Sequence, residues 1–142
     1  KSHHKWVVLI EPTSPFLSLE DINTLQEITS ATTAKSIYSI ARVRHTDHYL
    51  NQRGKISGNE KIDFLFPLER EKKRLKQEKR ITYKFGNISA IKSDALMAGE
   101  KFFSGNSETF EIPFIRSINI DSKEELFIAR SLASFDPTLF DL

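Results

Sequence analysis

Asp121 and Asn119 are the residues whose types and spacing best suit metal chemistry. They stand two positions apart in SINIDSKEEL, residues 117–126, where a short apolar run meets the start of a predicted helix. Side chains two positions apart share one face of a strand. Carboxylate and carboxamide oxygens at that place can hold Mg2+, whereas an acid just before a helix also complements the helix dipole. The residues alone leave both interpretations open.

Other polar residues suit substrate binding less specifically. Thr13 and Ser14 lie in the proline-flanked loop EPTSP, where hydroxyl groups bond either a ligand or the local backbone. A basic run over residues 68–80 is typical of a solvated face with ion pairs such as Glu69–Lys73. From Glu69 to Arg80 the run contains one apolar residue, Leu75, and no aromatic residue. We therefore expect no nucleic-acid partner. No Ser–His–Asp set or glycine-rich phosphate loop supports covalent catalysis.

The elements before residue 44 predict an α/β fold. The run WVVLI, residues 6–10, is apolar on both faces, which is typical of a strand buried between helices with neighbours on both sides. This predicts that the chain is the later part of a larger domain. A helix over residues 19–30, capped by Ser18 with Asp21 in its first turn, leads to a strand over residues 36–43. The order predicts a right-handed βαβ unit.

The elements after residue 43 are more varied. Residues 44–80 predict a hairpin-like excursion with turns at Arg53-Gly54 and Gly58-Asn59, followed by the basic run. A strand follows over residues 81–91, with Gly86 at a turn or bulge. A short helix with Ser93 as its cap and Gly99 as its stop comes next, followed by a strand in TFEIPFI, residues 109–115.

The last predicted elements are a strand in SINI and a helix after it. Ser122 and Glu125 form a predicted capping box at the start of that helix. Ile128, Leu132 and Phe135 share one helical face, so we expect that face to pack on the sheet. Asp121 would then lie at the carboxyl end of a strand, where open α/β sheets bind ligands.

Length and composition indicate one globular domain over residues 1–142. The chain has 39% hydrophobic and 28% charged residues, a net charge of +2 and no cysteine. A charge this small does not indicate a nucleic-acid or membrane partner, and no apolar run is long enough for a membrane span. These features predict a cytoplasmic protein.

Two segments together resemble a known family. LIEPTSPF, residues 9–16, and SINIDSKEEL, residues 117–126, are similar to the two later signatures of the acylneuraminate cytidylyltransferases. A basic stretch and the strand containing GNISAI lie between them, as in that family. The resemblance covers nearly the whole chain but only the later two thirds of the family's domain.

The resemblance implies a fold, a reaction and partners. The fold is a Rossmann-like, three-layer α/β/α nucleotidyltransferase fold without its N-terminal part, with the hairpin region inserted for dimerisation. The reaction joins a nonulosonic sugar acid to CMP from CTP, with Mg2+ as cofactor and pyrophosphate as the second product. The implied partners are CTP, a sugar acid and a second copy of the chain. The family's Arg- and Gly-containing triphosphate loop is missing, so we expect this chain to be inactive alone.

The resemblance also implies site residues. Asp121 would be the catalytic metal ligand, with Asn119 where the family has a second acid, and the residues contacting the substrate would be Glu11, Thr13, Ser14, Arg74, Lys76 and Asn87.

Three of these positions depart from the family pattern. Glu11 replaces a glutamine that can donate a hydrogen bond, Asn119 offers a neutral oxygen instead of an acid, and Asn87 is shifted by one residue. The sequence therefore leaves two hypotheses: a cytidylyltransferase that is part of a longer protein, or a non-catalytic derivative that serves as a binding or dimerisation module.

Overall fold

The computed structural model describes residues 5–55, 61–103 and 105–140. The predicted turn at Gly58-Asn59 lies outside these ranges. Contacts divide the chain into two compact units, one formed by Lys1–Ala41 with Phe85–Leu142 and the other by Arg42–Lys84. Helices and a mixed sheet confirm the α/β class.

A four-stranded sheet forms the frame of the first unit. Its strands, in the order in which they lie side by side, are β1 (Trp6–Ile10), β5 (Tyr83–Lys92), β2 (Ser36–Arg42) and β6 (Ser107–Glu111). β1 is antiparallel to β5, with Val8 opposite Ala90, and β2 is parallel to β6, with Ser39 opposite Phe110. The amide of Lys92 donates to Lys35 O at one end of the β5–β2 pair.

The helix α1 (Leu19–Ala31) connects β1 to β2, which confirms the predicted β–α–β order, although β5 lies between the two strands. Its start follows from local chemistry. Ser18 Oγ accepts from the amide of Asp21 at 3.3 Å, and Asp21 Oδ2 accepts from the amide of Ser18 at 3.3 Å. This reciprocal capping satisfies two amides that a helix start leaves without partners.

The core of the first unit lies between α1 and the sheet. Leu25 of α1 packs with Ile37, Ile88 and Ala90, all of them buried. Partly buried side chains surround this cluster: Trp6, Leu17, Ile22, Ile28 and Phe110. Burial of this apolar surface is the main term that holds α1 to the strands.

The prediction that β1 is buried between neighbours on both sides is wrong for the part of the chain that the structure describes. There, β1 pairs with β5 alone and forms the edge of the sheet. Residues 7–10 are consequently 38–48% exposed although all four are apolar. The sequence pattern showed that both faces of β1 are apolar, but it could not show whether another element covers them.

Two predictions near the C-terminus are also wrong. SINI forms no strand; its first residue ends a 3-10 helix at Phe114–Ser117, and residues 118–120 are irregular. The helix α4 (Lys123–Phe135) does not pack through the predicted face, because Ile128 is 48% and Phe135 91% exposed. The buried residue of α4 is Ala129, so a neighbouring face is turned inward.

Glycine and capping predictions around β5 had mixed outcomes. Gly99 has φ 82°, which confirms it as the stop of α3 (Ser93–Met97). Ser93 is not the cap, since α3 begins at Ser93 itself. Gly86 lies inside β5, where a Cβ would fall 2.9 Å from Ser39 Cβ and 2.9 Å from Ile112 Cδ1. The residue is a glycine because neighbouring side chains approach the backbone closely.

The second unit contains the predicted hairpin, but Arg53 and Gly54 lie in its first strand and not at a turn. β3 (Arg53–Lys55) and β4 (Ile62–Phe64) pair antiparallel. The helix α2 (Pro67–Lys72) follows, so the basic run is α-helical only in its first part, and a 3-10 helix forms at Lys76–Glu78. No helix in the described parts of either unit combines the length and the apolar character that crossing a membrane requires.

Candidate functional site

The loop after β1 carries three of the predicted substrate-binding residues. Glu11 and Ser14 close a turn, since the amide of Ser14 donates to Glu11 O at 3.0 Å. The amide of Glu11 in turn donates to Asn87 O of β5 at 3.3 Å. Ser14 is 8% exposed, whereas Glu11 and Thr13 are partly exposed. The backbone of the loop is therefore fixed to the sheet while two of its side chains reach the surface.

The two segments that carry the family resemblance contact each other directly. The amide of Ile120 donates to the carbonyl oxygen of Thr13 at 2.9 Å. More than a hundred residues of chain separate these two positions. The fold thus brings the loop at residues 11–14 beside the junction at residues 117–121, as a shared site requires.

The junction places Asn119 and Asp121 side by side. Asn119 Nδ2 donates to Asp121 Oδ2 at 2.6 Å, and the amide of Asp121 donates to Glu125 Oε2 at 2.9 Å. Ser122 Oγ caps α4 by accepting from the amide of Glu125 at 3.2 Å. Asp121 is exposed and lies one residue before the cap. The two side chains meet through this hydrogen bond and not, as predicted, on a shared strand face, because residues 118–120 are irregular.

The donor set around Asp121 can contribute to a Mg2+ site but cannot complete one. Among the described residues, no group of three or more acidic, histidine or cysteine side chains could hold a metal. Asn119 turns its NH2 group toward Asp121, and its buried Oδ1 has no hydrogen-bond partner. Rotation of the carboxamide would turn that oxygen toward Asp121, and a cation between them would favour this. Such a site fits Mg2+ held by one carboxylate, one amide oxygen and substrate phosphates.

Asn87 is enclosed by protein on all sides. It is 0% exposed, and its Nδ2 donates to Asp21 Oδ2 at 3.0 Å and to Arg116 O at 3.2 Å. Its Oδ1 accepts from Ser39 Oγ at 3.1 Å. The side chain therefore supports the walls of the site instead of facing a ligand. The backbone of Asn87 is what contacts the loop, through Glu11.

Sequence reasoning missed a polar network centred on Arg116. Its Nη1 donates to Asp21 Oδ1 at 2.8 Å and to Ser18 Oγ at 2.7 Å, and its Nη2 donates to Glu20 Oε2 at 2.6 Å. The Asp21 side chain is 2% exposed and that of Arg116 is 21% exposed. Burial acts to lower the pKa of Arg116, but the hydrogen bonds and charges of Glu20 and Asp21 outweigh it and raise the pKa. The guanidinium therefore stays charged.

Arg74 and Lys76, the predicted carboxylate-binding residues, belong to the second unit. Both are exposed, and Arg74 Nη2 lies 3.4 Å from Glu71 Oε1. Arg74 also lines a shallow cavity of about 350 Å³ with Phe64, Pro67, Arg70 and Glu71. The guanidinium carbon of Arg70 lies 4.0 Å from the centre of the Phe64 ring, which is cation–π geometry. These residues form a basic surface with an apolar floor.

No family model matches this sequence, and a search of curated proteins gives no significant match.

Proposed function

We propose that this chain is part of a cytidylyltransferase that activates a nonulosonic sugar acid with CTP and releases pyrophosphate. The observation that carries the proposal is the hydrogen bond from the amide of Ile120 to Thr13 O. The two segments that resemble the family's signatures are distant in sequence and adjacent in space, which supports a shared site. The mixed sheet with α1 packed on it is compatible with the family's Rossmann-like, three-layer fold.

The proposed chemistry is a displacement at the α-phosphorus of CTP. The anomeric hydroxyl oxygen of the sugar acid forms the new bond to the α-phosphorus, and the bond from that phosphorus to the α–β bridging oxygen breaks. Pyrophosphate leaves with the bridging oxygen, and the hydroxyl proton is released to solvent water. Asp121 binds Mg2+, with Asn119 as a second oxygen donor. When bound, Mg2+ supplies charge neutralisation at the reacting phosphates. The protein otherwise contributes positioning of the reactants.

The remaining site residues have substrate-binding roles in this proposal. Thr13 and Ser14 bond hydroxyl groups of the sugar, and Asn87 fixes the loop that carries them. Glu11 selects a sugar acid, or a pose of it, that differs from the one a glutamine would bind, because an ionised carboxylate only accepts hydrogen bonds. Arg74 and Lys76 bind the substrate carboxylate in the assembled protein, a homodimer in the cytoplasm built through the hairpin region.

A second candidate function is a binding or dimerisation module without catalysis. Its specific support is the bond from Asn119 Nδ2 to Asp121 Oδ2, which occupies the oxygen that a metal would need. The NH2 group of Asn119 and this carboxylate oxygen of Asp121 are thereby paired without a cation. Asp121 would then serve only the start of α4, where a negative charge is favourable.

The test is pyrophosphate release from CTP and Mg2+ with a panel of nonulosonic acids. The longest natural polypeptide that contains this chain is assayed beside the 142-residue chain. In the active protein, Asp121→Asn should lower kcat/KM by roughly a hundredfold or more, because it removes the anionic ligand. Glu124→Gln is the matched control, since it removes one exposed carboxylate three residues away and should leave turnover unchanged.

The two candidates predict opposite results in this assay. Turnover with one acid that Asp121→Asn removes and Glu124→Gln preserves would support the cytidylyltransferase. If neither polypeptide releases pyrophosphate, and circular dichroism shows that both are folded, the cytidylyltransferase is rejected in favour of the binding or dimerisation module. Turnover that Asp121→Asn leaves intact would show that Asp121 is a cap and not a metal ligand.

A further inference from the structure

The Arg116 network joins three elements that local sequence signals cannot bring together. The guanidinium contacts the start of α1 through Ser18, Glu20 and Asp21. Asn87 of β5 donates both to Asp21 Oδ2 and to the carbonyl oxygen of Arg116. The first turn of α1, the middle of β5 and the segment that leads to Asp121 are thus tied at one point.

The same network continues into the candidate site. From Asn87, the chain of hydrogen bonds passes through its carbonyl oxygen to the amide of Glu11, and so to the loop at residues 11–14. From the loop, Thr13 O accepts the amide of Ile120, which lies four residues after Arg116. Hydrogen bonds and covalent backbone together form a closed circuit around the junction. If a residue of the Arg116–Asp21–Asn87 path is removed, the loop and the junction are joined only by the bond between Thr13 and Ile120.

The electrostatics indicate why an arginine closes this circuit. Asp21 is 2% exposed and keeps both carboxylate oxygens bonded, one to Arg116 and the other to Asn87. A buried carboxylate needs both a counter-charge and complete hydrogen bonding. The planar fork of a guanidinium reaches Asp21 and Glu20 at once, whereas the single ammonium group of a lysine cannot reproduce that fork.

We propose that Arg116 is a positioning residue that holds the Asp121 junction against the loop at residues 11–14. It acts through Asp21 and Asn87 and does not itself contact the reacting groups. The effect of Arg116 on catalysis rests on the proposed function, whereas its effect on the position of the Asp121 junction is independent of that function. Two other interpretations predict different results: an ion pair that stabilises the whole first unit equally, and an arginine that binds the substrate itself.

Hydrogen exchange at the amide of Ile120 tests the positioning directly, because this amide makes the bond between loop and junction. Arg116→Ala should speed exchange at Ile120 by about tenfold or more, and Arg116→Lys by less. The amide of Ile112 is the internal reference, since it donates to Ile40 O at 2.8 Å within the sheet. Its exchange should stay unchanged in both variants.

Two further variants keep the test decisive. If Arg116→Ala does not fold, Glu20→Gln takes its place. It weakens only the contact of Arg116 Nη2 with Glu20, whose side chain is 74% exposed, and should raise the exchange rate at Ile120 more modestly. Arg44→Ala breaks an arginine–aspartate pair of 2.7 Å in the second unit and should not affect Ile120. Unchanged exchange at Ile120, or an equal rise at Ile112, would overturn the proposal.

The kinetic measurement separates positioning from substrate binding. In a protein that turns over, Arg116→Lys should lower kcat by about tenfold with little change in KM for either substrate. A rise in KM for the sugar acid at unchanged kcat would show that Arg116 binds substrate, and the proposal would be wrong. Absence of turnover in the unmodified protein would reject the proposed function alone, since the exchange of Ile120 still decides the positioning role.

Discussion

Asn119 illustrates how one side chain can decide between two functions. Its NH2 group faces Asp121 at 2.6 Å, and its carboxamide oxygen is buried without a hydrogen-bond partner. Burying a polar atom without a partner costs free energy, on the order of 1–3 kcal/mol. A cation beside Asp121 would relieve that cost by drawing the oxygen outward. In the proposed metal site, cation binding and rotation of the amide would therefore occur together.

Asn119→Asp should strengthen Mg2+ binding. Two carboxylates at this distance repel each other, and a divalent cation between them relieves the repulsion. We expect the Mg2+ concentration for half-maximal turnover to fall by roughly tenfold. Where turnover is absent, an NMR titration with Mg2+ would show the same shift at the amide of Asp121. An unchanged Mg2+ titration would contradict any metal role for this junction.

At the scale of elements, β5 organises the first unit. One neighbour of β5 is β1 and the other is β2, and its residues 86–91 are all buried. Asn87 and Gly86 lie where its backbone meets Ser39 of β2, whose hydroxyl accepts from the amide of Asn87 at 2.9 Å. The close approach at Gly86 therefore sets the position of the Asn87 side chain and of the network beyond it.

Gly86→Ala should destabilise the protein, because the added methyl group would overlap Ser39 and Ile112. We expect a loss of about 1–3 kcal/mol in the free energy of unfolding, as for other overpacked sites. Urea unfolding followed by fluorescence of Trp6, the single tryptophan, measures it. Gly105→Ala is the control, since nothing lies within 4 Å of a Cβ there. Equal stability of Gly86→Ala and the unmodified chain would contradict the close approach.

At the scale of the whole molecule, the edge strand β1 is the most exposed apolar feature of the sheet. Its residues 7–10 are apolar and 38–48% exposed, and no charge or proline lies within Trp6–Ile10. Natural sheets usually protect their edges with such residues, since an open edge can pair with another strand. The 142-residue chain in isolation should therefore associate with itself through β1.

Val8→Lys should reduce this association, because a charge at the centre of the edge opposes strand pairing. Sedimentation velocity across a range of protein concentrations measures it, and the variant should form smaller species than the unmodified chain at the same concentration. Phe127→Lys is the matched control, as it removes a 73% exposed aromatic residue from α4 and not from the edge. A monomeric unmodified chain, or equal effects of the two variants, would contradict the prediction.

The sequence by itself determined the elements whose signals are local. The start of α1 follows from Ser18 and Asp21, which lie three residues apart, and the stop after α3 follows from the glycine at position 99, which has a positive φ. Strands β1, β2, β5 and β6 and the hairpin of the second unit were predicted from short apolar runs and turn residues. Capping bonds and periodicity depend on neighbouring residues, so the chain carries these signals whatever its tertiary fold.

Only the tertiary structure decided which surfaces are covered and which distant residues meet. It left β1 at the sheet edge, turned Ala129 of α4 inward in place of Phe135, and made SINI irregular. It also joined Arg116 to Asp21 across 95 residues and Ile120 to Thr13 across a similar distance. Such contacts depend on the packing of α1 and β5 against one another, and no local pattern of residue types encodes that packing.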